Sequence, residues 1–148
     1  MKPNYKLLAL CIILMSSYAT KAQVTTSSRQ NLFSRYSEKL PTAVTELDKA
    51  FNAKLGADVN LKFSNFSFSG TVTSSVKRYD NLYSVVIKST SLSNSLFSIS
   101  KRINDDKTIT YVGRVINEKY ADGYELTKDS DGNYALNKIK TEELLQDY

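Results

Sequence analysis

The 148-residue sequence predicts an α+β fold: an N-terminal amphipathic helix packed on a curved antiparallel sheet of about six strands. A partly closed β-barrel is the alternative, because closure depends on a shear that the residue pattern does not encode. Three observations lead there. Val44, Leu47, Phe51 and Leu55 recur every three or four positions, the spacing of one helix face. From Asp58 onward the apolar period drops to two, the signature of half-buried strands. The runs are separated by short stretches of Asn, Asp, Ser and Gly, too brief for the crossovers that parallel strands need.

The chain opens on a leader. Lys2 and Lys6 form a basic start and Leu7 to Met15 an apolar run. Ser17-Tyr18-Ala19 or Thr20-Lys21-Ala22 then offers a small-residue cleavage site. Residues 1–22 therefore read as a signal peptide, similar to those of exported bacterial proteins, and the run is too short to cross a bilayer. Leu8-Ala9-Leu10-Cys11 resembles a lipoprotein signal, except that Leu10 stands where a small residue belongs. The expected product is secreted, periplasmic or held at the cell surface, with no transmembrane segment. Residues 23–30 read as a mobile polar lead-in and 31–148 as one α+β domain.

The elements follow in order. Leu32, Phe33, Tyr36 and Leu40 suggest a weak helical segment at about 30–39. A firm helix is expected at about 41–55, with Pro41 in its first turn and Gly56 as its stop. Its polar side carries Thr42, Thr45, Glu46, Asp48, Lys49, Asn52 and Lys54. Val59, Leu61 and Phe63 alternate next, and Ser64-Asn65 marks a turn or bulge. Phe66, Phe68, Gly70, Val72, Ser74 and Val76 then face inward along one long strand, with the hydroxyl-rich Ser67 to Lys77 set outward. Further strands are expected at Tyr83–Lys88, Leu96–Ile103, Thr108–Ile116, Tyr124–Lys128 and Tyr134–Ile139, and a short closing helix from Glu142, with Thr141 as N-cap. The helix should bury Val44, Leu47, Phe51 and Leu55 on Phe66, Phe68, Val72, Val85, Ile87, Ile99, Ile109 and Val115.

Composition narrows the chemistry. The sequence has no histidine and no tryptophan, and its one cysteine, Cys11, lies in the leader. That removes the Ser-His-Asp triad, the Cys-His dyad and histidine- or thiolate-ligated zinc from the processed chain. No disulfide forms in it either. The leader carries Lys2, Lys6 and Lys21 and no acid, so cleavage lowers the net charge from +5 to +2. Such a small excess argues against nucleic acid as a partner.

The candidate sites are correspondingly modest. Asp129, Asp131 and Asn133 place oxygen ligands at alternate positions, as a calcium loop does, but Lys140 stands where the bidentate acid belongs. A hairpin turn through Asp131-Gly132 is the plainer reading. Asp105-Asp106 and the set Glu118, Asp122 and Glu125 are carboxylates at turns with no partner implied. Ser67 to Ser75 has only Lys77 nearby and no orienting group for a serine–lysine pair. A partner-binding patch is expected from Lys77, Arg78, Lys101, Arg102 and Arg114 with Tyr79, Tyr83 and Tyr111, which antiparallel pairing would gather. Eight of the ten tyrosines, Tyr36, Tyr79, Tyr83, Tyr111, Tyr120, Tyr124, Tyr134 and Tyr148, survive cleavage and supply the amphipathic aromatic surface.

The leading expectation is a secreted, non-catalytic module, without cofactor, that recognises a protein or a surface glycan. The alternatives are a protease inhibitor or stand-alone prodomain-like protein, and a barrel holding a lipid or other small apolar ligand. The runs Phe68-Ser-Gly-Thr-Val72, Ser84-Val-Val-Ile-Lys88 and Tyr111-Val-Gly-Arg-Val115 loosely resemble strands of secreted metalloprotease prodomains, while the inhibitor or prodomain reading, with a secreted protease as partner, rests on a small helix-plus-sheet domain without catalytic or metal motif. The loop Thr90–Asn94 would then enter the protease cleft.

Overall fold

The computed structural model describes residues 29–142 and 144. The expected signal peptide, most of the expected lead-in, Tyr148 and nearly all of the expected closing helix lie outside the described residues. Eight strands form one antiparallel sheet: β1 Lys39–Thr42, β2 Asp58–Phe63, β3 Phe66–Tyr79, β4 Leu82–Ser89, β5 Leu96–Ile103, β6 Ile109–Ile116, β7 Asp122–Lys128 and β8 Tyr134–Lys140. The spatial order is β1-β8-β7-β6-β5-β4-β3-β2. Strands β2 to β8 are a meander, and β1 returns to pair with β8. The sheet curls into a half-barrel that brings its two edges, β1 and β2, toward each other. Helix α1, Val44–Asn52, links those edges and packs on β2 and β4.

The expected count of about six strands is corrected to eight. Val59–Phe63 is a strand in its own right, paired with β3 from Asp58↔Thr71 to Phe63↔Phe66. Lys39–Thr42, assigned by spacing to helices, is the other. Its burial alternates, with Leu40 and Thr42 inside and Lys39 and Pro41 exposed. Pro41 fits there because an outward position on an edge strand needs no ladder N–H.

The weak helix at about 30–39 is also corrected. Residues 31–37 run through turns and bends and plug one end of the half-barrel. Asp122 holds them: its buried carboxylate accepts the backbone N–H groups of Leu32 at 2.6 Å and Phe33 at 2.9 Å. Phe33 then drops into the core beside Tyr124, 5.3 Å between ring centroids. The periodic Leu32, Phe33, Tyr36 and Leu40 thus share an interior without sharing a helix.

Helix α1 is shorter than the predicted 41–55. Leu47 and Ala50 are buried and Phe51 half-buried, while Val44 and Leu55, expected in the core, are 43% and 67% exposed. The concave side has little room for them because the sheet fills it with its own aromatics, Phe63, Phe66, Phe68, Phe97, Tyr111 and Tyr124. The expected sheet core of Phe66, Phe68, Val72, Val85, Ile87, Ile99 and Val115 is buried; Ile109 is not, at 39% exposure.

One phase error lies in β3. The register passes from Val72↔Ile87 to Ser74↔Val86 and Ser75↔Val85. The bulge at Thr73 therefore turns Ser74 and Val76 outward and brings Ser75 and Lys77 onto the concave side, opposite to strict alternation.

The curl needs close strand approach at Gly113. A Cβ there would lie 2.8 Å from the Ser98 carbonyl oxygen and 3.2 Å from a Phe97 ring carbon. Gly113→Ala should therefore cost about 1–3 kcal/mol, the scale of an overpacked core. Urea unfolding checks it, and an unchanged midpoint would show that the strands separate freely there.

Candidate functional site

The antiparallel registers place four of the predicted partner-binding residues in a single cross-strand row. Lys77 pairs with Tyr83, Tyr83 with Lys101, and Lys101 with Tyr111. Directly paired residues share a sheet face. The whole row therefore lies on the concave side, running from the open β3–β4 hairpin to the core beneath α1.

Asp48 organises the inner end of the row. Tyr111 Oη donates to Asp48 Oδ1 at 2.6 Å and Lys101 Nζ to the same oxygen at 2.7 Å. Lys101 also sits 5.8 Å from the Phe51 ring centroid and 5.6 Å from that of Tyr111. Burial works against ionising Asp48, but the hydrogen bonds from Lys101 and Tyr111 outweigh it and hold the carboxyl below its ordinary 3.8. Burial first, then the Asp48 hydrogen bond, pushes the Tyr111 phenol far above its usual range. Tyr111 is only 2% exposed, so it belongs to the core and leaves the predicted surface. Asp48 was placed on the solvent side by the helical pattern. The available signal was its position three residues before Phe51, at the flank of the apolar face.

The outer end of the row stays open. Phe51, Ser75, Lys77, Tyr83, Lys101 and Ile103 line a groove of about 470 Å3 beyond the C-terminal end of α1. At its rim the hairpin tip carries Arg78 and Tyr79, the latter 72% exposed. Lys77 pairs with Asp80 at 2.8 Å, both largely in solvent.

Arg102 and Arg114 stand on the opposite, convex face. Arg114 pairs with Glu125 at 2.8 Å. Near it, β6 and β7 pair only from Gly113↔Leu126 to Val115↔Tyr124 and then part. Tyr134 seals the split from inside, its hydroxyl accepting the Tyr111 N–H at 3.0 Å. Outside, a groove of about 650 Å3 remains, with Val112 58% exposed among Ser98, Ser100, Thr110 and Thr127.

The other candidates are engaged in local structure. Asp129 Oδ1 accepts the backbone N–H of Asn133 at 2.8 Å and of Asp131 at 3.1 Å, and Gly132 takes φ +88°. That closes the β7–β8 hairpin. Among the described residues no three His, Cys, Asp or Glu side chains converge where a metal ion would sit. Asp106 accepts both the Thr108 N–H at 2.9 Å and its hydroxyl at 2.6 Å in the β5–β6 turn, beside an exposed Asp105. Asp122 holds the N-terminal plug and Glu125 holds Arg114, while Glu118 offers its carbonyl to Arg29 at 2.9 Å, so these three acids form no common site. Ser69 and Thr71 bond across to Asn60 and Asp58. In the loop Thr90–Asn94, Leu92 is buried and the other four residues are exposed, and Ser89 Oγ accepts the N–H groups of Ser91 and Leu92. Among the described residues no helix is long and apolar enough to cross a membrane.

No protein family, no curated protein and no solved structure matches the chain.

Because its folded-state pKa is depressed, Asp48 contributes stability above the ordinary carboxylate value and loses it as the pH falls through the lower, folded value. Asp48→Asn should therefore weaken the protein at neutral pH and flatten the loss of stability below about pH 4. Thermal melts across pH 2–7 measure it. Parallel curves for the variant and the parent would mean that the carboxylate charge does not hold α1 on the sheet.

Proposed function

We propose that the chain is an exported, non-catalytic module that binds a protein partner at the lip formed by α1 and the β3–β4 hairpin. One observation carries the reading: the row Lys77–Tyr83–Lys101 ends in a groove beside Phe51 and Ile103, under a hairpin tip that exposes Tyr79. Half-exposed aromatic and aliphatic side chains rimmed by polar ones are the make-up of protein-binding patches. The basic side chains themselves are largely matched, Lys77 by Asp80 and Lys101 by Asp48, which favours a shaped partner over a diffuse polyanion.

The other readings find less support. A glycan site prefers an exposed aromatic platform, and the convex groove offers hydroxyls and Val112 instead. A ligand barrel needs a vacant interior, whereas the concave side holds packed rings such as Phe66 and Tyr124, centroids 5.8 Å apart. An inhibitory loop needs a protruding tip, and Leu92 points inward.

The test is affinity capture from the exported fraction of the host, with the immobilised protein as bait and salt-resistant binding as the criterion. A single protein should be retained. Tyr79→Ala and Tyr83→Ala should each weaken it about tenfold or more, as truncation of interface anchors does. Full binding by both variants, together with loss in Val112→Asp, would move the site to the convex groove.

A further inference from the structure

Strand β3 outruns its neighbour. Strand β2 pairs with it only as far as Asp58↔Thr71, and the loop after α1 covers one more residue, with Gly56 N donating to Val72 O at 2.8 Å and Val72 N to Ala57 O at 2.9 Å. Beyond that point β3 continues to Tyr79 with β4 on one side, and no described strand pairs with it on the other. The direction of its backbone follows from the ladder. Ser89 N donates to Ser95 O on the β5 side, so Ser84 and Val86 turn their backbone groups toward β3, opposite Val76 and Ser74. By alternation Ser75 and Lys77 direct their N–H and C=O groups away from the sheet. Residues 75–79 are all exposed.

The two formal edges of the sheet are treated differently. On β1, Pro41 has no N–H to offer. On β2, Glu46 Oε2 accepts the Lys62 N–H at 2.9 Å. Edge strands left open pair with other chains, and proteins ordinarily blunt them. On the open length of β3 the only guards are Lys77 and Arg78. Residues 73–79 carry these two cations and no acid, and Asp80 at the hairpin tip meets Lys77 in a solvent-exposed pair that holds it only weakly. Two copies meeting edge to edge would set cation against cation, which disfavours self-pairing. A strand bearing carboxylates meets no such barrier.

We propose that this edge binds its partner by strand addition: an extended, acidic segment of the partner pairs with Ser75 and Lys77 and continues the sheet. Alternate side chains of that segment would enter the groove lined by Phe51, Tyr83 and Ile103, on the face of Lys77, and the carboxylates between them would lie on the other face, toward Arg78. The inference rests on the lip being the binding surface. It adds the mode of recognition and the chemistry of the segment.

The probe is a set of blocked decapeptides titrated into the isotopically labelled protein: Glu alternating with Val, Lys alternating with Val, and the Glu–Val peptide with every second amide N-methylated. The Glu–Val peptide should shift the Ser75 and Lys77 amide signals, and the other two should bind at least tenfold more weakly. Ser75→Pro and Lys77→Pro remove outward N–H groups and no ladder bond, so each should abolish binding at an unchanged melting temperature. Should either proline unfold the chain, the double charge reversal Lys77→Glu with Arg78→Glu replaces it and should invert the preference toward the Lys–Val peptide. Binding that ignores peptide charge, N-methylation or the proline changes overturns strand addition, as does no binding of any peptide. A captured partner that survives Lys77→Pro but is lost with Tyr83→Ala leaves the lip standing and removes only the strand mode. A partner lost with neither removes both.

Discussion

The concave side of the sheet is filled by aromatic rings from the sheet and from the 31–37 segment, and the rest of the molecule is placed by that packing. Phe66 sits at the centre, with the Tyr36, Phe33, Tyr124 and Phe63 rings 4.8, 5.9, 5.8 and 6.1 Å away. Phe97 joins this group to Phe68 through contacts with Phe63 and Phe68 at 5.9 and 5.7 Å. Each such ring removes roughly 150–250 Å2 from water, which makes the cluster the main source of cohesion among the described residues, which contain no cysteine. The three buried tyrosines, Tyr111, Tyr124 and Tyr134, each bring a hydroxyl with them, and a buried hydroxyl without a partner is costly. Tyr124 Oη donates to the Ser37 carbonyl, Tyr111 Oη to Asp48, and Tyr134 Oη accepts the Tyr111 N–H. Each bond fixes something outside the core: the N-terminal plug, the helix, and the split between β6 and β7. Burial, with Glu38 and Asp122 adding to it, pushes the Tyr124 phenol up to about 12, so it stays a neutral donor across the physiological range.

The position of the helix follows. Helix α1 contributes few side chains to the interior, so apolar area alone holds it weakly. Asp48 supplies the remaining definition by bonding to two strands at once, Lys101 on β5 and Tyr111 on β6. Glu46 ties the other flank to β2 through the Lys62 N–H, with Lys49 at 2.6 Å. Held by those bonds, and ending at Asn52, the helix stops short of the β3–β4 hairpin. The uncovered remainder of the concave face is the lip. The groove is therefore a by-product of where two helix carboxylates find their donors.

Much of this was legible in the residues. Period-two alternation located β3 to β8 to within a few positions, and the turn residues named the hairpins. What failed did so where a second arrangement satisfies the same spacing. Leu32, Phe33, Tyr36 and Leu40 are apolar at helical intervals, yet Asp122, ninety residues away, decides their path by accepting the Leu32 N–H. Strand β3 reads as one unbroken alternation, but the bulge at Thr73 exchanges its faces, and serines and threonines on both sides give no hydrophobic signal to mark the change. Of the predicted surface patch, pairing gathered Lys77, Tyr83 and Lys101, while the ring of Tyr111 was drawn inside by an acid on another element. Arg102 and Arg114 were lost to the opposite face because a single position of register decides the side.

The edges of the sheet carry the last distinction. A curled sheet of eight strands that does not close has two edges to protect, and this one brings them together under a helix that links them. Proline on β1 and the Glu46 carboxylate on β2 are both means of removing an N–H from circulation. The extension of β3 past Thr71 creates a third edge that the curl cannot cover, since no described strand lies beyond it. Solubility would be served by shortening that hairpin to match β2. Its length instead projects Tyr79 and presents Ser75 and Lys77 beside an apolar groove, guarded by Lys77 and Arg78 with the exposed Asp80 beside Lys77. Charge guards exclude like-charged strands and leave acidic ones admissible, whereas proline excludes all of them. The choice of guard thus differs between the edges: β1 and β2 each lose an outward N–H, while the open length of β3 keeps its own and is guarded by charge.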